Sequence, residues 1–223
     1  FLPPDEKTPY HSSSPDPLVV QARSATLFKI ASGAPFRVVV LPPRAFVRRG
    51  LPFASLQAMG EFLVTGSDID REALVEKLVV GGYTQVNAVE DPGTFAVRGS
   101  IIDVFWAGAP KPVRIDLFGD TIESIRAFDA ASQRAQESFE EWSFGPAREI
   151  FLDDERCRQA TTKLRELADE VEFPTKRLRE LIGDLEHRIP FFGIEGLLPA
   201  FHPPLELPTD VLDHALGKGG YTL

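Results

Sequence analysis

The chain has 223 residues, with 24 Lys and Arg against 33 Asp and Glu, for a formal net charge of −9. Hydrophobic residues at 43% and charged residues at 26% describe a globular chain, and the acidic balance argues against bulk electrostatic binding of nucleic acid, which needs a basic surface. One cysteine, Cys157, excludes a disulfide framework and a thiolate zinc site, while the absence of a signal peptide or of an apolar run near the ~18–20 residues of a bilayer span points to a cytoplasmic setting.

The opening stretch, Phe1 to Pro17, carries the run Ser12-Ser13-Ser14-Pro15-Asp16-Pro17 and reads as a loop ending at a helix start. From Leu18 to Ile30, Val19, Ala22, Leu27 and Ile30 recur at helical spacing, and Gly33 ends that helix. Phe36 to Leu41 is then a short apolar, β-branched run closed by Pro42-Pro43. A continuous apolar strand after a helix predicts a sheet covered on both faces, the α/β pattern.

A second region begins near Phe62. Asp70 is placed to cap a helix running to Val80, with Leu74, Leu78 and Val79 on one face and Gly81-Gly82 as its stop. After Tyr83 the period changes from 3.6 to 2. Tyr83–Val89, Thr94–Trp106, Pro112–Phe118 and Thr121–Phe128 read as strands of an antiparallel, half-exposed sheet. Gly119-Asp120 is a hairpin signal, with Gly first as a type II′ turn requires.

The third region follows Pro146. Glu149–Leu152 reads as a short strand, and Asp153-Asp154-Glu155 supplies negative charge to a helix N-terminus. Cys157, Ala160, Leu164, Leu167, Ala168 and Val171 form the apolar stripe of that helix. Pro174 breaks the pattern, and Thr175 is placed to cap a second helix with Leu178, Leu181, Ile182, Leu185 and Ile189 inward.

Catalytic chemistry is not visible. A phosphate loop needs Gly-x-x-x-x-Gly-Lys-Ser/Thr after a strand, and the nearest match, Gly217-Lys218-Gly219-Gly220, lacks both the hydroxyl and the leading Gly. His11, His187, His202 and His214 are scattered without metal-ligand spacing and read as surface or loop residues. Cys157, on an apolar stripe, reads as an inert core thiol. No catalytic, cofactor or metal residues are therefore assigned.

The sheet is more informative. In Pro112–Phe118, Val113, Ile115 and Leu117 point one way, and Arg114, Asp116 and Phe118 the other. With the aliphatic face inward, Arg114 and Phe118 emerge on the outer face, and Arg98 is in reach from the neighbouring strand. Such a cluster makes an interface hot spot, combining a planar donor fork with an apolar anchor. Alternation alone equally allows Phe118 to tuck under an adjoining domain, leaving the arginines as ordinary solvated charges.

The same residues carry a family resemblance. Val89-Glu90-Asp91-Pro92-Gly93-Thr94-Phe95-Ala96-Val97-Arg98-Gly99-Ser100-Ile101-Ile102-Asp103-Val104-Phe105, and then Pro112 to Arg126, resemble the UvrB-homology region of the bacterial transcription-repair coupling factors, the Mfd family. The flank Phe191-Phe192-Gly193-Ile194-Glu195-Gly196-Leu197-Leu198-Pro199 favours that family over UvrB itself, and the opening Ser13–Pro17, with Arg23–Leu27 and Val38–Val40, also fits it. A chain that starts at Phe1 and has Met59 as its one methionine reads as a piece of a longer protein.

The resemblance implies a degenerate RecA/helicase-like α/β lobe with an inserted α+β antiparallel-sheet domain. It corresponds to the C-terminal part of UvrB-like domain 1a over residues 1–62, domain 2 over 63–147 and domain 1b over 148–223. It implies that domain 2 docks UvrA, and by motif match that Arg98, Arg114 and Phe118 make the contact. RNA polymerase, duplex DNA and ATP with Mg are the implied partners and cofactors of a parent translocase, through domains outside this chain. The resemblance also leaves the docking face open to masking by the C-terminal part of the parent. The alternative is part of a UvrB-type helicase subunit with residual ATP or DNA binding; a purely structural piece is a third reading.

Overall fold

The computed structural model describes residues 1–4, 15–218 and 220. Most of the Pro/Ser-rich opening, with His11 and the serine run, and Gly219 of the glycine-rich end lie outside the described residues.

Helix α1 (Pro17–Ala31) starts where Asp16 accepts a hydrogen bond from the Leu18 amide. Short helices α2 (Pro43–Val47) and α3 (Phe53–Met59) follow. Strand β1 (Glu61–Val64) leads into helix α4 (Arg71–Val80), whose N-cap Asp70 accepts from the Glu72 and Ala73 amides. Six strands come next: β2 (Thr84–Gln85), β3 (Thr94–Arg98), β4 (Ile101–Phe105), β5 (Val113–Phe118), β6 (Thr121–Phe128) and β7 (Ala135–Phe139). They form one sheet in sequence order, with β2 parallel to β3 and every other pairing antiparallel. Strand β8 (Glu141–Phe144) then pairs antiparallel with β1, so the stretch that contains the sheet is entered and left side by side. Helices α5 (Asp154–Glu170) and α6 (Thr175–Glu186), a 3-10 turn (Ile194–Leu197), α7 (Leu198–Phe201) and α8 (Pro208–Leu216) complete the chain.

Two cores hold these elements. The inner face of the large sheet contributes Phe95, Ile102, Val104, Val113, Ile115, Leu117, Ile122 and Ile125, closed over by Leu74 and Leu78 of α4. A second core joins α1, α3 and α5 to the C-terminal helices through Leu27, Leu56, Ala160, Leu185, Phe201 and Leu212. Helix α1 serves both: Ala25 and Phe28 belong to the sheet core, and Leu27, Ile30 and Ala31 to the helical one. Phe28 meets Trp106 edge-on, with ring centroids 5.6 Å apart. On the same helix, Arg23 is buried and its Nε donates to Glu149 Oε1 at 2.7 Å, with Arg48 Nη2 3.6 Å from the other carboxylate oxygen.

Several expectations are corrected. Residues 36–41 are not a strand: among the described residues the segment pairs with no ladder, Leu2 N–H donates to the Val40 carbonyl at 3.0 Å, and Val38 and Val40 face solvent. An apolar run becomes a strand only when a neighbouring ladder takes its hydrogen bonds. The parallel, doubly covered sheet of a RecA-like lobe is accordingly not formed among the described residues. Glu149–Leu152 is buried but likewise not a strand, and Glu149 lies in a bend. Tyr83–Val89 shortens to β2. Thr94–Trp106 is a hairpin rather than one strand, because Gly99, at φ +58°, reverses the chain so that Arg98 faces Ile101. Val79 and Leu167 are exposed, and so are Val171 and Ile189, which lie past the ends of α5 and α6. Thr175 lies inside α6, whose N-cap is Pro174. His202 is buried against Phe151 instead of lying on the surface.

Candidate interaction surface on the outer sheet face

The outer face of the sheet is built by register. Alternation puts Ala96 and Arg98 of β3, Ile101 and Asp103 of β4, Arg114, Asp116 and Phe118 of β5, and Ser124, Arg126 and Phe128 of β6 on the side away from the main core. Cross-strand pairing aligns them in rows: Ala96, Asp103, Arg114 and Arg126 in one; Arg98, Ile101, Asp116 and Ser124 in the next.

One end of this face is closed. Val89, Ala96 and Phe128 form a small separate core, with Val86 and Phe105 packed against it. The guanidinium of Arg114 lies over the Phe128 ring, 4.6 Å from its centroid, in a cation–π arrangement. Gln133 roofs the same corner, accepting from Arg114 Nη2 at 3.4 Å and donating to the Ala130 carbonyl at 2.7 Å.

The middle of the face is ionic. Asp103 has no solvent exposure, and Arg114 grips it with both prongs, Nε to Oδ1 at 2.7 Å and Nη2 to Oδ2 at 2.8 Å. Arg98 donates to the same Oδ2 from the neighbouring strand. The Asp103 hydrogen bond raises the Arg114 pKa above the ordinary arginine value, and the Asp103 and Asp116 charges add to it, against an opposing effect of burial. In the next row Asp116 Oδ2 accepts from Arg126 Nη2 at 2.6 Å and from the Ser124 hydroxyl at 2.8 Å.

The other end is open. Phe118, the last residue of β5, is 80% exposed beside the β5–β6 turn. Gly119 there adopts φ +63°, and Asp120 does not share its positive φ, as a II′ turn requires. Arg98 is two strands from Asp116, and Phe118 two residues beyond, which by strand spacing separates the arginine and phenylalanine backbones by roughly 10–12 Å.

The three residues singled out from the sequence thus hold different positions. Phe118 is free of the protein and is not tucked under a neighbouring domain. The Arg98 side chain is 47% exposed, whereas that of Arg114 is only 18% exposed, its fork spent on Asp103. The structure brings Arg98 and Arg114 together through Asp103 and leaves Phe118 apart at the rim. Asp103, Phe128 and Gln133 were missed. Asp103 carried a legible signal, an acid between Ile102 and Val104 in an alternating run, but reading Thr94–Trp106 as one strand hid its pairing. Among the described residues, no group of three or more His, Cys, Asp or Glu is placed to hold a metal ion. No helix among them is long and apolar enough to cross a membrane.

Residues 62–150, which contain this entire sheet, match the family model of the UvrB interaction domain. Over 200 residues the chain is 46% identical to the transcription-repair-coupling factor of Myxococcus xanthus, covering 90% of this chain and 17% of that protein. The corresponding factors of Escherichia coli and Mycobacterium bovis are 29% and 32% identical, over 88% and 89% of this chain. The chain belongs to the transcription-repair-coupling factor family. It spans 17% of the length of these relatives, in the part that includes the UvrB interaction domain.

Proposed function

We propose that the outer sheet face is a docking site for UvrA, and that the chain acts as a non-catalytic, UvrB-like adaptor of transcription-coupled nucleotide excision repair. One observation carries this reading: within the part that matches the UvrB interaction domain, a large aromatic ring is held out into solvent at the rim of an arginine-bearing sheet face. A strand-end phenylalanine left mostly in solvent is a cost in water unless a partner covers it. The arginines beside it supply planar donors that a partner carboxylate can accept.

In this reading Phe118 is the apolar anchor and Arg98 the exposed donor. Arg114 supports the pair through Asp103 and offers only an edge of its guanidinium. The larger protein supplies what this chain does not: a motor that uses ATP to translocate on duplex DNA and a site for stalled RNA polymerase. The adaptor then brings UvrA to the polymerase in the cytoplasm.

Titration of the purified chain with UvrA tests the proposal. Saturable 1:1 binding is expected, weakened at least about tenfold when Arg98→Ala and Phe118→Ala are combined, since buried anchors cost more than ~1–2 kcal/mol each. Unchanged affinity in that double variant overturns the assignment.

A further inference from the structure

Asp103 sits where a sheet designed for stability alone would place an aliphatic residue. It is fully buried, flanked in its row by Ala96 and Arg114, and satisfied by three donors from two arginines. Replacing a buried ion pair by apolar residues of similar volume is often neutral or stabilising, so the fold by itself does not call for this charge. A carboxylate here does something an aliphatic group does not: it sets the direction of both guanidinium planes.

The geometry points to Asp103 as a positioning residue of the docking face, tying Arg98 and Arg114 into one preorganised cationic unit that an acidic partner surface reads. This rests on the reading of that face as the UvrA site. The bidentate grip fixes the plane of Arg114, and the Phe128 ring beneath it restricts its tilt. The bond from Arg98 holds a long side chain that is otherwise half in solvent. Two cations on one anion leave one positive charge over, and the exposed part of it lies on the Arg98 side, toward the open end of the face. An arginine already held in its docked orientation loses less rotamer freedom on association than a mobile one. The partner group this unit fits is a carboxylate that takes the donors Asp103 leaves unused, presented beside an apolar recess for Phe118.

The test is a double-mutant cycle on UvrA binding with the whole 223-residue chain. Asp103→Asn keeps the shape and removes the charge, and it is expected to weaken binding about tenfold or more. In a background already carrying Arg98→Ala, where Arg114 still grips the buried Asp103, the same substitution is expected to change affinity by less than about threefold, because the exposed donor it positions is gone. An equal loss in both backgrounds, or no loss in the wild-type background, overturns the role of Asp103 while leaving the docking face intact. Failure of the wild-type chain to bind UvrA overturns the docking reading first and this inference with it. Should Asp103→Asn unfold at the assay temperature, Arg98→Lys serves instead. It keeps the charge but loses the planar fork, so wild-type affinity in that variant refutes a positioned guanidinium, and about tenfold weaker binding supports it.

Discussion

Phe118→Ala separates binding from folding more sharply than any other single change. Fully burying a phenylalanine side chain contributes about 1.5–3 kcal/mol relative to leaving it exposed. Because 80% of Phe118 remains in solvent, about four-fifths of that range, ~1.2–2.4 kcal/mol, is still available to a partner. The substitution should therefore weaken UvrA binding roughly eight- to sixty-fold, taking ~1.36 kcal/mol per tenfold. Stability should change by no more than about 0.5 kcal/mol, the usual range for a surface position, as measured by urea unfolding. Isothermal titration beside the unfolding curve checks both halves. A loss of stability of ~2 kcal/mol would mean that the ring supports the sheet, and an unchanged Kd would mean that no partner covers it; either result refutes the reasoning.

Three further outcomes follow from the interior. Glu149→Gln should destabilise the chain by about 3–5 kcal/mol in urea unfolding, because it leaves the buried Arg23 guanidinium without its anion; a cost below ~1 kcal/mol would show that water already reaches the pair. Gly145→Ala should cost about 1–3 kcal/mol, since its Cβ would lie 2.3 Å from Cγ of the buried Phe28 ring, and a thermal midpoint equal to wild type would contradict that packing. Burial, reinforced by the Arg156 charge and opposed by Asp153, lowers the His202 pKa from 6.5 to about 4. Between those values the unfolded chain takes up a proton that the folded one refuses, so stability is full above about pH 6.5 and falls as the pH drops towards about 4, by up to ~3 kcal/mol. Unfolding curves of wild type and His202→Gln across that window should differ in slope, and parallel pH profiles would rule out His202 as the source.

Local patterns were legible where one residue type settles the outcome. Asp70 before an apolar helical stripe gave a capped helix, because the side-chain acceptor satisfies amides the helix leaves open. Val113, Ile115 and Leu117 turned inward together because strand alternation allows only two faces and water selects between them. The Gly119 turn followed from the need for positive φ at its first position.

What stayed hidden depends on neighbours distant in sequence. Whether 36–41 forms a strand rests on another chain segment offering a ladder, and alternation within six residues cannot report that. Arg23 lies on α1, which is covered on two sides, and its carboxylate partner Glu149 is 126 residues away, a pairing that periodicity within the helix cannot report. Asp103 went unread because its two arginine partners come from different strands and appear only once Gly99 folds β3 onto β4. The sheet's inward face, its turns and an outward Arg–Phe pattern follow from local periodicity and backbone sterics, and were legible along the chain. Which of those outward groups are spent on each other and which remain for a partner depends on the folded register, because a charge is free or engaged according to what the register brings within hydrogen-bond reach.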